Sequence, residues 1–265
     1  MRHFTMLAAC TIAGLTVVAS TTLPATAAVT PRTTAASVTT LTATNAELLT
    51  AAKKRVLFGH QSVGANIIEG MGTLYRARGV TSPVYRSWSN SLPSTGRYFA
   101  DAYIGANGDP LSKIRAFVAL MRGGAGTRVN VAAMKLCFVD VTAGTNVTSL
   151  FASYRVSMAN LHTRYPKVAL LYLTVPLTTD SPADNVKRQR FNALMRTNYA
   201  STGRLFDLAA LESTKPTGAR VTGLYNGARY YAMFAGYSSD GGHLNAAGER
   251  RLADAFMRLI ARAIP

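Results

Sequence analysis

The sequence predicts an α/β fold: a three-layer αβα sandwich around a mainly parallel, five-stranded sheet. Three observations lead there. Short apolar runs alternate with amphipathic segments of eleven or more residues, long enough to be crossover helices. The short runs are apolar on both faces, as in strands covered from two sides. At 265 residues with 48% hydrophobic content, the chain can bury a full core.

The elements follow in order. Arg55-Val56-Leu57-Phe58 is a short apolar run ended by Gly59. Residues 64–78 place Ile67, Ile68, Met71, Leu74 and Tyr75 at helical spacing. Residues 83–88 read as a second strand, and 89–110 as a long polar loop of the kind that often carries function. A helix over 111–121 sets Ile114, Phe117, Val118 and Met121 on one face. Residues 131–141 hold the third strand, centred on Met134 to Val139. A helix over 150–165 is stopped by Pro166. Residues 168–175 form a strongly apolar fourth strand, 183–199 a helix, 205–208 a brief fifth strand, and 245–263 a final amphipathic helix.

The N-terminus reads as a secretory signal over residues 1–27. Arg2 and His3 precede an apolar stretch from Met6 to Ser20, and Ala25-Thr26-Ala27 offers a small-residue cleavage site. The expected location is extracellular or periplasmic, with no membrane span. Residues 28–46, rich in Thr, Ala and Val, read as a flexible linker, and 47–265 as the folded domain. With Cys10 in the signal, Cys137 is left as the sole cysteine, so no intrachain disulfide is expected. The formal charge of +17 comes from 29 basic against 12 acidic residues. Such a surface suits electrostatic association with acidic cell-surface polymers. The arginines are scattered without basic-aromatic interleaving, which argues against nucleic acid. Metal-ligand clusters and nucleotide-type glycine loops are missing from the sequence, so no metal and no cofactor are expected.

In a parallel sheet, chemistry gathers at the carboxyl ends of the strands. Two segments qualify. Gly59-His60-Gln61-Ser62-Val63-Gly64 leaves the first strand and opens the first helix. Ser62 there would place its hydroxyl at the cleft and its N–H at a helix N-terminus, which favours an oxyanion; alone, the same serine could be a simple helix cap. Ser239-Asp240-Gly241-Gly242-His243-Leu244-Asn245 precedes the last helix. His243 sits in a glycine-bounded loop, and Asp240 is close enough in the chain to fold back onto its ring and fix its tautomer. His162 falls on a helix surface, and Asn245 is placed to cap the final helix.

A serine turn after the first strand, with Asp240-x-x-His243-Leu244-Asn245 before the last helix, resembles the SGNH (GDSL-like) hydrolases. The resemblance spans residues 53–263. It implies a flavodoxin-like fold and an esterase-type activity, with Ser62 as nucleophile, His243 as base and Asp240 as its orienting acid. The first block departs from the family's Gly-Asp-Ser-Leu: one extra residue separates Gly59 from Ser62, and His60 stands near the usual Asp. His60 is thereby a candidate to line the pocket or bind substrate.

By the same resemblance the oxyanion hole takes the Ser62 N–H, a glycine N–H after the second strand, and an asparagine side chain after the third. Gly105 is the first choice for the glycine and Gly108 the second. Asn146, in Gly144-Thr145-Asn146, is the first choice for the asparagine. Asp140 could instead occupy that position, where it would have to be protonated or turned away, and Asn107 is a further donor. The expected activity is hydrolysis of esters, with acylated carbohydrates or small esters as substrates and lipid esters second. The alternative is an inactive hydrolase-like module that binds cell-wall polysaccharide. Trp88, Tyr98, Phe99 and Tyr103 could stack on sugars or simply pack the loop down.

Overall fold

The computed structural model describes residues 42–264. In order the elements are α1 (Asn45–Ala52), β1 (Arg55–His60), α2 (Ser62–Arg78), β2 (Tyr85–Ser87), β3 (Tyr98–Tyr103), α3 (Pro110–Leu120), a short α4 (Gly126–Arg128), β4 (Val131–Met134), α5 (Val147–Arg164), β5 (Ala169–Leu173), α6 (Pro182–Tyr199), β6 (Leu205–Phe206), α7 (Leu208–Ser213), β7 (Thr222–Tyr225), β8 (Ala228–Tyr231) and α8 (Ala246–Arg262).

The main sheet runs β2-β3-β1-β4-β5-β6, with every pairing parallel. Without the three-residue edge strand β2, this is the flavodoxin-like order. The alternation along each strand divides the core into two layers. Val56, Phe58, Val131, Ala133, Ala169 and Leu171 face α1, α2 and α8. Leu57, Ala132, Met134, Leu170 and Tyr172 face α3, α5 and α6. The three-layer α/β fold is therefore as expected, with six strands in the sheet rather than five.

The differences are local. The segment 89–110, read as loop, contains the core strand β3, and the expected strand at 83–88 is only the edge strand β2. Folded structure begins before residue 47: Thr44 and Glu47 form a reciprocal capping box on α1, and Ala43 is buried. The signal peptide and residues 28–41 lie outside the described residues. β7 and β8 form an antiparallel hairpin around Asn226-Gly227, both at positive φ. No helix among the described residues is long and apolar enough to cross a membrane.

A layer of buried polar groups lies where strands give way to loops. Lys113 and Asp140 form an ion pair at 2.6 Å with both side chains fully buried. Arg188 of α6 donates to the carbonyls of Phe138 and Val141 and to Thr178 and Asn185, fastening the exits of β4 and β5 together. Asn192 grips Val175 through both its amide atoms. Glu212 accepts from the Leu177 N–H at 2.7 Å through one oxygen, while its other oxygen is buried without a partner. Its burial pushes the carboxyl up to about 8.

Candidate active site

β1 lies between β3 and β4, so the chain leaves it in one direction for β3 and later returns on the other side. In parallel sheets such a reversal is where ligand crevices form, here at the carboxyl end of β1. Gln61 occupies the cap position of α2 and makes no side-chain cap, and Ser62 is the first helical residue. Ser62 is therefore not the helix cap, and the leading N–H groups of α2 have no side-chain acceptor. Gln61 instead donates to the carbonyls of Ile104 (3.1 Å) and Gly105 (3.0 Å), tying the serine turn to the loop after β3.

The extra residue in the first block has a structural role. His60 is 1% exposed and lies between the rings of Phe58 and Tyr103. Its Nδ1 is 3.1 Å from the Gln61 carbonyl and its Nε2 is 3.4 Å from Asp101. Burial pulls its pKa down, opposed by the Gln61 carbonyl and Asp101. A Cβ on Gly64 would come within 2.3 Å of His60 Cβ, so the glycine is what lets this ring lie over the first turn of α2. His60 is thus core packing behind the serine turn, which corrects its expected place in the pocket.

The acid and base share one loop. Asp240 Oδ2 and His243 Nδ1 are 2.6 Å apart. Asp240 Oδ1 accepts the N–H groups of His243 (2.7 Å) and Gly242 (2.9 Å). The backbone N–H of His243, then its side chain, then Gly242 hold the Asp240 carboxyl well below the usual carboxylate range. An ionised Asp240 keeps the proton on Nδ1 and leaves Nε2 as the acceptor. Ser238 Oγ closes the loop by donating to the His243 carbonyl and accepting from Gly241 N–H. The Phe138 ring meets the imidazole edge-on at 5.6 Å.

One side chain of α2 joins the helix to the segment that follows His243. Asn66, one turn beyond Ser62 on the same helical face, accepts the Leu244 N–H at 3.3 Å and donates to Glu249 of α8 at 3.1 Å. Further along, a Cβ on Gly70 would come within 2.4 Å of the Glu249 carbonyl oxygen, so the helices pass backbone to backbone. Asn245 caps α8 by accepting from Ala247 and Gly248. Ser62 Oγ and His243 Nε2 make no hydrogen bond to each other or to any other described group; such bonds commonly tighten only with substrate present.

The remaining candidates separate. Gly105 (φ 55°) lies against α3, where a Cβ would meet Lys113 N at 2.5 Å. Gly108 is ruled out as an oxyanion donor, because its N–H is given to Asp140 Oδ1 at 2.9 Å. Asp140 is not a substrate ligand: it is 3% exposed and accepts from Lys113, Gly108 and Cys137. These partners occupy both its carboxylate oxygens. Asn146 is also displaced from its expected role. It caps α5 by accepting Ser149 N–H and lines a groove with Lys187 and Arg190 between α5 and α6. Asn107 is exposed on the loop that Gln61 anchors. Tyr98 and Phe99 are buried packing. Tyr103 is 66% exposed, and with the half-buried Trp88 it lines a cleft beside that loop.

No protein-family model and no curated protein sequence matches the chain. Solved structures do align over most of it. A lipolytic protein of the G-D-S-L family from Desulfitobacterium hafniense is 6% identical, with 78% of this chain and 99% of that one covered and a TM-score of 0.47. TesA is 14% identical, with 76% and 95% covered and a TM-score of 0.45. An acetyl esterase bound to an acetate ion is 14% identical, with 75% and 91% covered and a TM-score of 0.40. Apart from the edge strand β2, the strand order of the main sheet is the flavodoxin-like one.

Proposed function

We propose that the protein is an exported serine ester hydrolase. The observation that carries this reading is the Asp240–His243 pair, with its ionised carboxylate and unblocked Nε2, followed by Leu244, whose N–H is held by Asn66 one turn along α2 from Ser62. His243 Nε2 takes the Ser62 proton as Oγ attacks the ester carbonyl. The tetrahedral oxyanion is held by N–H groups at the start of α2 and by Gly105 N–H. Collapse passes the proton from His243 to the departing alcohol and leaves an acyl group on Ser62. Water, deprotonated by His243, then attacks that acyl group and restores the serine.

Acyl groups on carbohydrates or small esters are the substrates that fit best. Tyr103 and Trp88 offer aromatic faces beside the loop anchored to Ser62's neighbour, and sugar rings stack on such faces. The positive charge suits an acidic cell-surface polymer as the surrounding matrix.

The altered first block favours one other reading, a catalytically inactive module that binds wall polysaccharide. Hydrolysis of p-nitrophenyl acetate by wild type and Ser62→Ala separates the two. Turnover in wild type that disappears in Ser62→Ala is expected. Equal turnover in both removes Ser62 as nucleophile, and none in either leaves the binding module.

A further inference from the structure

Three cationic side chains are buried among the described residues, and one of them lacks an acid. Lys113 pairs with Asp140, and Arg188 with Asp184. Lys135 is fully buried and, among the described residues, has no carboxylate partner. Its Nζ instead meets the Cys137 Sγ at 3.2 Å and the Leu136 carbonyl at 3.3 Å. A buried ammonium without an anion is costly. A methionine would fill much the same space without that penalty, so packing does not call for a lysine there.

The backbone makes this contact. Lys135 extends β4 by one residue, its N–H donating to the Gly59 carbonyl at 3.0 Å. Cys137 is extended as well (φ −95°, ψ 163°), and side chains two residues apart on an extended chain leave on the same side. The lysine stem then folds back along the chain to the sulfur. Cys137 is 1% exposed. Its N–H donates to Asp140 Oδ2 at 2.6 Å, and its Sγ receives the Asp140 N–H, so the thiol is held where the amine reaches it. Burial pulls the Lys135 pKa down toward the neutral amine, against the opposing pull of Cys137. A neutral amine offers a lone pair, and the thiol beside it is readily oxidised.

We propose that Lys135 and Cys137 are a covalent modification site, joined through one oxygen atom as an N–O–S crosslink with dioxygen as the oxidant. The lysine –NH2, the cysteine –SH and O2 give –NH–O–S– and one water. One N–H hydrogen and the S–H hydrogen leave in that water. Nitrogen and sulfur each give up two electrons, and the two oxygen atoms take up all four. Dioxygen is small and apolar, which suits a buried site closed to charged oxidants. A thiol oxidised alone climbs to sulfenic and sulfinic acids and adds buried polar groups. The bridge instead consumes amine and thiol together and removes the unpaired cation. It lies directly before Phe138, whose ring meets the His243 imidazole, and on the residue bonded to Gly59 ahead of the serine turn. The crosslink would brace that segment from behind. The inference does not depend on the ester-hydrolase reading.

The test uses the full chain in two samples, one kept under a thiol reductant without air and one equilibrated with oxygen. Both are denatured, digested with trypsin and weighed by mass spectrometry. Trypsin cuts after Lys135 only when its amine is free. The reduced sample is expected to be cut there. The oxygenated sample is expected to yield mainly one uncut peptide, Val129–Arg155, with one oxygen gained and two hydrogens lost. Reductant added to it should restore the cut and the free thiol. Cys137→Ser should be cut at Lys135 under both conditions, and Lys135→Met should give the same peptide without the mass change. If either variant does not fold, the wild-type peptide decides. Oxygen gained by the Cys137 peptide with Lys135 still cut would overturn the proposal, as ordinary sulfur oxidation. Two hydrogens lost without an oxygen, or no mass change at all, would overturn it too.

Discussion

Replacing Glu212 with glutamine should change how stability depends on pH. Glu212 sits wholly inside the protein, with one oxygen on the Leu177 N–H and the other unpartnered. Burial raises its carboxyl from the ordinary 4.5 to about 8, against the opposing pull of the Leu177 N–H, Lys135 and Arg188. In that interval the folded protein holds a proton that the unfolded chain has released. Stability from this group is therefore complete below the lower value and falls as pH rises toward the upper one. At about 1.4 kcal/mol per pH unit, the loss across the interval is roughly 5 kcal/mol. In Glu212→Gln the amide would keep an acceptor for Leu177 and has no proton to lose. Urea unfolding of both proteins at pH 5, 6, 7 and 8 gives the difference directly, with contributions from other groups cancelling. Near-equal stability at pH 5 and a Glu212→Gln variant several kcal/mol more stable at pH 8 are expected. Parallel curves at all four pH values would refute the reasoning.

Gly70→Ala should destabilise by about 1–3 kcal/mol, because its methyl would strike the Glu249 carbonyl. Gly72→Ala, with nothing within 4 Å, should instead stabilise by up to about 1 kcal/mol; thermal melts of the pair check both. Asp240→Asn should leave the fold unchanged yet lower kcat by about 10⁴-fold, since an amide no longer enforces the Nδ1–H tautomer of His243. Gly105→Ala combines positive φ with a collision against α3, costing at least about 1–2 kcal/mol. Steady-state kinetics should show its kcat falling further than its stability explains.

The five long helices α2, α3, α5, α6 and α8 were legible because each repeats apolar residues at helical spacing, whereas the short α1, α4 and α7 were not expected. α3, α5, α6 and α8 begin and end within three residues of expectation. β3 was hidden by its neighbours. The polar segment Ser89–Arg97 precedes it and Gly105–Asp109 follows, so Tyr98–Tyr103 was absorbed into one long loop. The β7–β8 hairpin carried a readable sign, Asn226-Gly227 between apolar and aromatic residues, although neither strand was among the expected elements. At the site, Asp240 and His243 were legible because their contact is local in sequence. Asp140, His60 and Asn146 were not, since their partners are distant or concern backbone geometry. Nothing in the spelling of residues 135–146 reveals that Lys113 neutralises Asp140, or that Gly64 leaves a hollow for His60.

Two members of the proposed trio travel together on one self-braced loop, so only a single relative placement has to be achieved to complete it. That placement is set where α2 meets α8, between residues 178 apart in the chain. Lengthening the intervening connections, as the β7–β8 hairpin does, leaves this joint untouched. Sliding one helix past the other by a fraction of a turn would part the hydroxyl from the imidazole while every side chain remained intact. Insertion at the exposed tip of that hairpin is therefore tolerated, and substitution along the Gly70–Glu249 seam is not.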